Sequence, residues 1–98
     1  KTMPVGIIQL HLYLPLVHSL KGKRHVIKPI IHDLQAKFHA SVAEIDQQDI
    51  WQNSTLLIAI ASSSAVKIEQ SKQRLIEHVE SHWAEVYITK DEMEIIFE

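Results

Sequence analysis

The chain has 98 residues, 46% hydrophobic and 22% charged, with 10 Lys+Arg against 12 Asp+Glu, seven His, two Gly, three Pro and no Cys. That length supports one domain around one core, and the lack of Cys removes disulfides, thiolate metal sites and cysteine nucleophiles, as expected in a reducing, cytoplasmic setting. The net charge of −2 speaks against bulk affinity for nucleic acid, and the longest mid-chain apolar run, Leu56–Ala61, falls far short of the roughly 20 residues a membrane helix needs.

From Pro4 to Leu14 one parity is Ile8, Leu10, Leu12, Leu14 and the other Ile7, Gln9, His11, Tyr13, the period-2 pattern of a half-buried strand. Gln9 and His11 interrupt this apolar stretch, so it is not read as a secretory signal. Pro15 ends the strand and Ser19 offers a cap to a helix near 20–38, with Leu20, Ile27, Ile30, Ile31, Leu34 and Phe38 on one face. Pro29 lies inside that span, at a cost of about 3 kcal/mol in an ideal helix, and predicts a kink or a late helix start. Ala40–Ile45 and Thr55–Ala61 read as a hairpin with a long polar connection. Ser62–Ser64 then opens a helix near 64–82, with Ala65, Ile68, Leu75, Ile76, Val79 and Trp83 on one face and Lys72 close to its middle. Val86–Ile88 makes a fourth strand, and Ile95–Phe97 a bent extension beyond a turn at Lys90-Asp91-Glu92.

The order β-α-β-β-α-β predicts one α+β, ferredoxin-like domain over residues 1–98, a four-stranded antiparallel sheet with both helices on one face. The opposite face then carries Ile7, Gln9, His11 and Tyr13 beside Leu57, Ala59 and Ala61, too apolar to leave wet, so dimerisation or ligand binding is expected there.

Most chemistries this architecture hosts fail on residues. The third strand lacks the aromatics of an RNA-recognition motif, copper chaperones need cysteines, and a chain whose glycines are Gly6 and Gly22 cannot build a phosphate loop. Arg24 and Asn53 are loose candidates for an acylphosphatase-like pair. His78 and His82, four apart, could flank one ion, but they need a third ligand such as Glu85, so neither a metal nor another cofactor is expected. Glu44, Asp46 and Asp49 read as turn acids. Trp51 either closes the core over the sheet edge or anchors a partner. His11, His18, His25, His32 and His39 recur every seven residues, yet only His25 and His32 share a helical face.

The strongest local anomaly is Lys21-Gly22-Lys23-Arg24-His25-Val26-Ile27-Lys28, which holds four of the 10 basic residues. Each cation opposes the positive end of the helix dipole, and Lys21, Arg24 and Lys28 project within about 60° of one another at 100° per residue. With the free amides of a helix start, this is an anion cradle that a phosphate backbone would complement. The acids concentrate instead in the tail, seven from Glu77 to Glu98 against Lys90 alone.

These residues resemble the YlxP-like family, small bacterial proteins catalogued as a domain of unknown function. The matching stretches are Leu12–Pro15, Ser19-Leu20-Lys21-Gly22-Lys23-Arg24, Ser41-Val42-Ala43-Glu44-Ile45 and Gln48-Asp49-Ile50-Trp51-Gln52. The chain departs at Gly22, where the family carries an acid, and at Pro29. The resemblance implies a ferredoxin-like fold, a bacterial cytoplasmic setting and genes neighbouring translation and ribosome-maturation factors, with no established activity. The expectation is a non-enzymatic module binding RNA or the ribosome through Lys21, Lys23, Arg24 and Lys28. The alternative is an interaction or homodimerisation module using Ile7, Gln9, His11, Tyr13, Leu57 and Trp51.

Overall fold

A computed structural model describes residues 3–45 and 50–97. The elements follow the expected order: β1 (Val5–Tyr13), α1 (Leu20–Phe38), β2 (Ser41–Ile45), β3 (Asn53–Ala61), α2 (Ala65–His82) and β4 (Tyr87–Ile96). The strands form one antiparallel sheet in the order β2-β3-β1-β4, which is the ferredoxin-like arrangement.

Alternation on β1 and β3 decides which face meets the helices. Ile8, Leu10 and Leu12 on β1, and Leu56, Ile58 and Ile60 on β3, are buried. They join Ile27, Ile30 and Leu34 of α1 and Leu75 and Val79 of α2 in one core. Burial of each large aliphatic side chain stabilises by roughly 1.5–3 kcal/mol. The helix–sheet approach is tight at Gly6, where an added Cβ would stand 2.3 Å from Cγ2 of the buried Ile68.

Ser19 starts α1 where the sequence places it. Its hydroxyl accepts from the Gly22 amide (2.9 Å) and its carbonyl from the Lys23 amide (3.0 Å). A late start caused by Pro29 is therefore ruled out, and the helix runs through the proline to Phe38. His25 and Pro29 are both exposed, so the carbonyl that loses its intrahelical partner lies where water can reach it. The helix ends at His39 in the left-handed region (φ 50°, ψ 40°), a conformation more usual for glycine or asparagine.

The fourth strand corrects the sequence reading. Lys90-Asp91-Glu92 is not a turn; it lies inside β4, which stays paired with β1 from Tyr87 to Ile96. The register shifts between His11 and Leu12, so Thr89 is the extra residue of a bulge, and its hydroxyl donates to the His11 carbonyl at 3.1 Å. Charges on an edge strand mark a solvated border that resists further pairing, which explains why a polar triplet could pass for a turn. Lys72 escapes the apolar face of α2 by reaching Asp91 of β4 at 2.7 Å, as a long side chain with an aliphatic stem can.

Candidate functional site

The four basic residues at the start of α1 divide into two sets. Lys21, Arg24 and Lys28 are exposed and, with His25 and Pro29, line a shallow groove of about 350 Å³. Lys23 points the other way. It is only 2% exposed, and its Nζ lies 2.8 Å from Glu44 Oε2 while donating to the Ile50 carbonyl at 2.9 Å. This removes Lys23 from any anion-binding set, because its charge is buried against a carboxylate. The helical period accounts for the split: Lys23 is about 200° from Lys21 at 100° per residue, on the arc of Ile27 and Ile30. The anion cradle also needs revision, since the Gly22 amide is taken by the Ser19 hydroxyl.

The Lys23 pair belongs to a tether between α1 and the β2–β3 hairpin. Glu44 Oε2 accepts from the Ser54 hydroxyl at 2.7 Å. On the other side of the connection, Gln52 donates to the carbonyls of Pro15 (3.2 Å) and Val17 (3.3 Å), and the Leu14 amide donates to the Gln52 carbonyl at 2.8 Å. Asp46, Gln48 and Asp49 lie outside the described residues, so of the three turn acids only Glu44 is placed, as the half-buried partner of Lys23.

Trp51 is 50% exposed beside Ile50 at 48%; it does not close the core. It stands just before β3 at the Tyr13 end of the sheet, where Tyr13 pairs with Asn53. Ile7 pairs with Ala59, about 20 Å away along β1 at 3.3 Å per residue. The candidate interface residues therefore do not make one small patch. Ile7, Gln9, His11 and Leu57 are half-buried, and Tyr13 is exposed with its ring 6.5 Å from that of Tyr87.

On this open face a chain of hydrogen bonds crosses three strands, which sequence spacing could not reveal. His11 Nε2 lies 3.1 Å from Glu92 Oε1, and His11 Nδ1 lies 3.3 Å from the Thr55 hydroxyl. The bond from His11, with Lys90 nearby, holds the Glu92 carboxyl below the usual carboxylate range. The order hydroxyl, imidazole, carboxylate looks like a nucleophile with its base, but Thr55 is only 2% exposed and its oxygen cannot meet a substrate in this arrangement. The signal available in sequence was alternation: His11 and Thr55 lie on outward-facing parities of strands that pair.

His78 and His82 have partners within the protein. His78 Nε2 bonds Asp33 Oδ2, and His82 Nδ1 lies 3.0 Å from the His78 carbonyl. Their rings lie with centroids 4.0 Å apart and planes tilted by 36°, and Phe38 and Trp83 stand edge-on to His78. No group of three or more potential ligands converges among the described residues. Beside this cluster a cleft of about 540 Å³ between the end of α1 and α2 is lined by Lys37, His39, Ser71, Arg74, Glu77 and Ser81, among others. Glu77 faces its cations, and of the candidate site residues singled out in the sequence only His78 lines it, because the cleft exists only once the two helices dock. Among the described residues, no helix is long and apolar enough to cross a membrane.

A family model described as "Protein of unknown function (DUF503)" matches residues 5–93. The chain belongs to that family. It is similar to the "Uncharacterized protein YlxP" of Bacillus subtilis (strain 168), with 44% identity over 77 residues, 79% of this chain and 84% of the relative. The match agrees with the resemblance drawn from the helix-start and hairpin motifs. Several residues of those motifs meet in the tether: Ser19 caps, Lys23 and Glu44 pair, and Gln52 holds the β1–α1 connection. Lys21, Arg24 and Trp51, from the same motifs, are left at the surface.

Proposed function

We propose that the chain is a non-enzymatic binding module that engages RNA, on its own or on a ribosomal surface, through Lys21, Arg24 and Lys28. The carrying observation is that these three cations form an exposed stripe on α1 while the fourth, Lys23, is committed to Glu44. The one acid in α1, Asp33, is bound to His78. A positive stripe on a chain of net charge −2 is a directional feature, suited to phosphate contacts and poor at bulk adsorption. A cytoplasmic location goes with this reading.

The test is co-sedimentation with purified bacterial ribosomal subunits across a salt series, comparing the parent with a Lys21→Glu, Arg24→Glu, Lys28→Glu variant verified as folded. Binding that weakens steeply with salt and disappears in the variant is expected. Equal binding by parent and variant refutes the assignment.

A second reading is favoured by the exposure of Trp51 beside Ile50 and by the half-buried apolar residues of the open face. In it the chain dimerises or docks a protein partner through Ile7, Gln9, His11, Tyr13, Leu57 and Trp51. Aromatic anchors of this kind are enriched at interfaces. A mass by light scattering that stays monomeric over a wide concentration range rejects the homodimer.

A further inference from the structure

The exposed face of α1 carries more than its three permanent cations. Counting 100° per residue from Lys21, Arg24 falls at about −60°, His25 at +40°, Lys28 at −20° and His32 at +20°, all within about 100° of arc. All five residues are exposed. His25 lines the same groove as Lys21, Arg24 and Lys28. From Lys21 to His32 the stripe runs about 17 Å along the axis at 1.5 Å per residue, and no carboxylate of α1 lies on it. Asp33 sits at about 120°, turned toward α2 and bonded to His78.

Histidine is the side chain that ordinarily changes charge between pH 8 and pH 5. Around His25 the charged neighbours are Lys21, Arg24 and Lys28; beside His32 they are Lys28 and Asp33. From the elements packed on α1, β2 contributes Glu44, held by Lys23 on the buried side. From α2, His78 holds Asp33, while Arg74 and Glu77 line the cleft with Lys37 and His39 at the far end of the helix.

We infer that the RNA-binding surface is the whole stripe from Lys21 to His32, with His25 and His32 as further phosphate contacts that engage once protonated. This rests on the proposed reading of Lys21, Arg24 and Lys28 and adds to it a partner of stated shape, an extended single-stranded phosphate backbone. A single phosphate would need only the groove, whereas a stripe of about 17 Å along the helix rise offers successive contacts to a chain. Protonation of both imidazoles raises the number of neutralised phosphates from three to five. On single strands each contributes about 0.7 to the slope of log K against log salt, so the slope steepens from about −2 to about −3.5.

The experiment is fluorescence anisotropy of a labelled 12-nucleotide uridine oligomer, titrated with the full chain at pH 8.0 and pH 5.8 across a salt series at matched ionic strength. The parent is expected to bind at least tenfold tighter at the lower pH with the steeper slope. A His25→Gln, His32→Gln variant, folded by circular dichroism, is expected to match the parent at pH 8.0 and lose that gain. If the variant keeps the full gain, other histidines such as His11 or His18 are responsible and the inference is wrong. The Lys21→Glu, Arg24→Glu, Lys28→Glu variant reports separately on the underlying reading: unchanged binding at pH 8.0 overturns that reading whatever the pH response. Polyglutamate that displaces the oligomer as effectively per charge as unlabelled RNA moves the partner to an acidic protein and overturns the assignment. No binding of the oligomer at either pH overturns both.

Discussion

Replacing Lys23 by Met separates the tether from the binding stripe. The Nζ–carboxylate distance of 2.8 Å corresponds to an attraction of about 6 kcal/mol at an effective dielectric of 20, most of it offset by the cost of burying the ammonium. Removing one partner of a buried pair costs about 3–5 kcal/mol because the other charge is stranded. Here the stranding is partial. The Glu44 side chain is 21% exposed and keeps the Ser54 hydroxyl, so water reaches the carboxylate and the expected loss is about 2–3 kcal/mol. The Ile50 carbonyl also loses its lysine donor. For a domain of this size that loss lowers Tm by roughly 10–20 °C, measured by circular dichroism or calorimetry. Adding Glu44→Gln is expected to recover part of it, because no buried charge then remains, and the double-mutant cycle isolates the pair. At a temperature where Lys23→Met is fully folded, its RNA affinity should match the parent. A stable Lys23→Met variant that has lost RNA binding would refute the division of the basic segment into structural and binding halves.

Gly6→Ala is expected to destabilise the fold by about 1–3 kcal/mol by overpacking, since the new Cβ meets the stiff, buried, β-branched Ile68; Gly6→Ala combined with Ile68→Ala should cost less than the sum of the two in denaturant unfolding. His39→Gly should raise stability by about 1 kcal/mol, because an L-residue is strained at φ 50° and glycine is not; a fall in Tm would show that the imidazole contributes packing that outweighs the strain. The Glu92 carboxyl should titrate below the ordinary glutamate range by NMR, and His11→Gln should move it back up, since the bond from His11 is the leading cause of the depression. By linkage, a depressed folded value contributes stability above the unfolded value and loses it as pH falls through the folded one. An unchanged Glu92 midpoint in His11→Gln would refute that account.

Where alternation was strong, the sequence was legible. Ile8, Leu10 and Leu12 set the parity of β1, Ser19 and Ser64 start the helices, and element order then leaves little choice of topology. Reading failed where a residue's role depends on what lies across from it. Lys90-Asp91-Glu92 looks like a turn because local polarity says nothing about an edge position beside β1. Lys23 looks like a surface cation because its Glu44 partner is 21 residues away in sequence. Trp51 stayed open between a core lid and a partner anchor because its neighbours in sequence do not say what it packs against, and the fold leaves it half exposed.

The sequence by itself determined the hydrophobic period, the caps and the chain order, which are local properties, and with them the sheet, the helices and the uncovered face. Tertiary structure alone decided which charges are spent. Docking α1 on the hairpin commits Lys23 to Glu44, docking α2 commits Asp33 to His78, and pairing β4 with β1 commits Glu92 to His11. Charge pairing acts over a few ångströms in space. The helical period sets Lys23 apart from Lys21, Arg24 and Lys28, but that Glu44 holds Lys23 and Asp91 holds Lys72 is decided only in space.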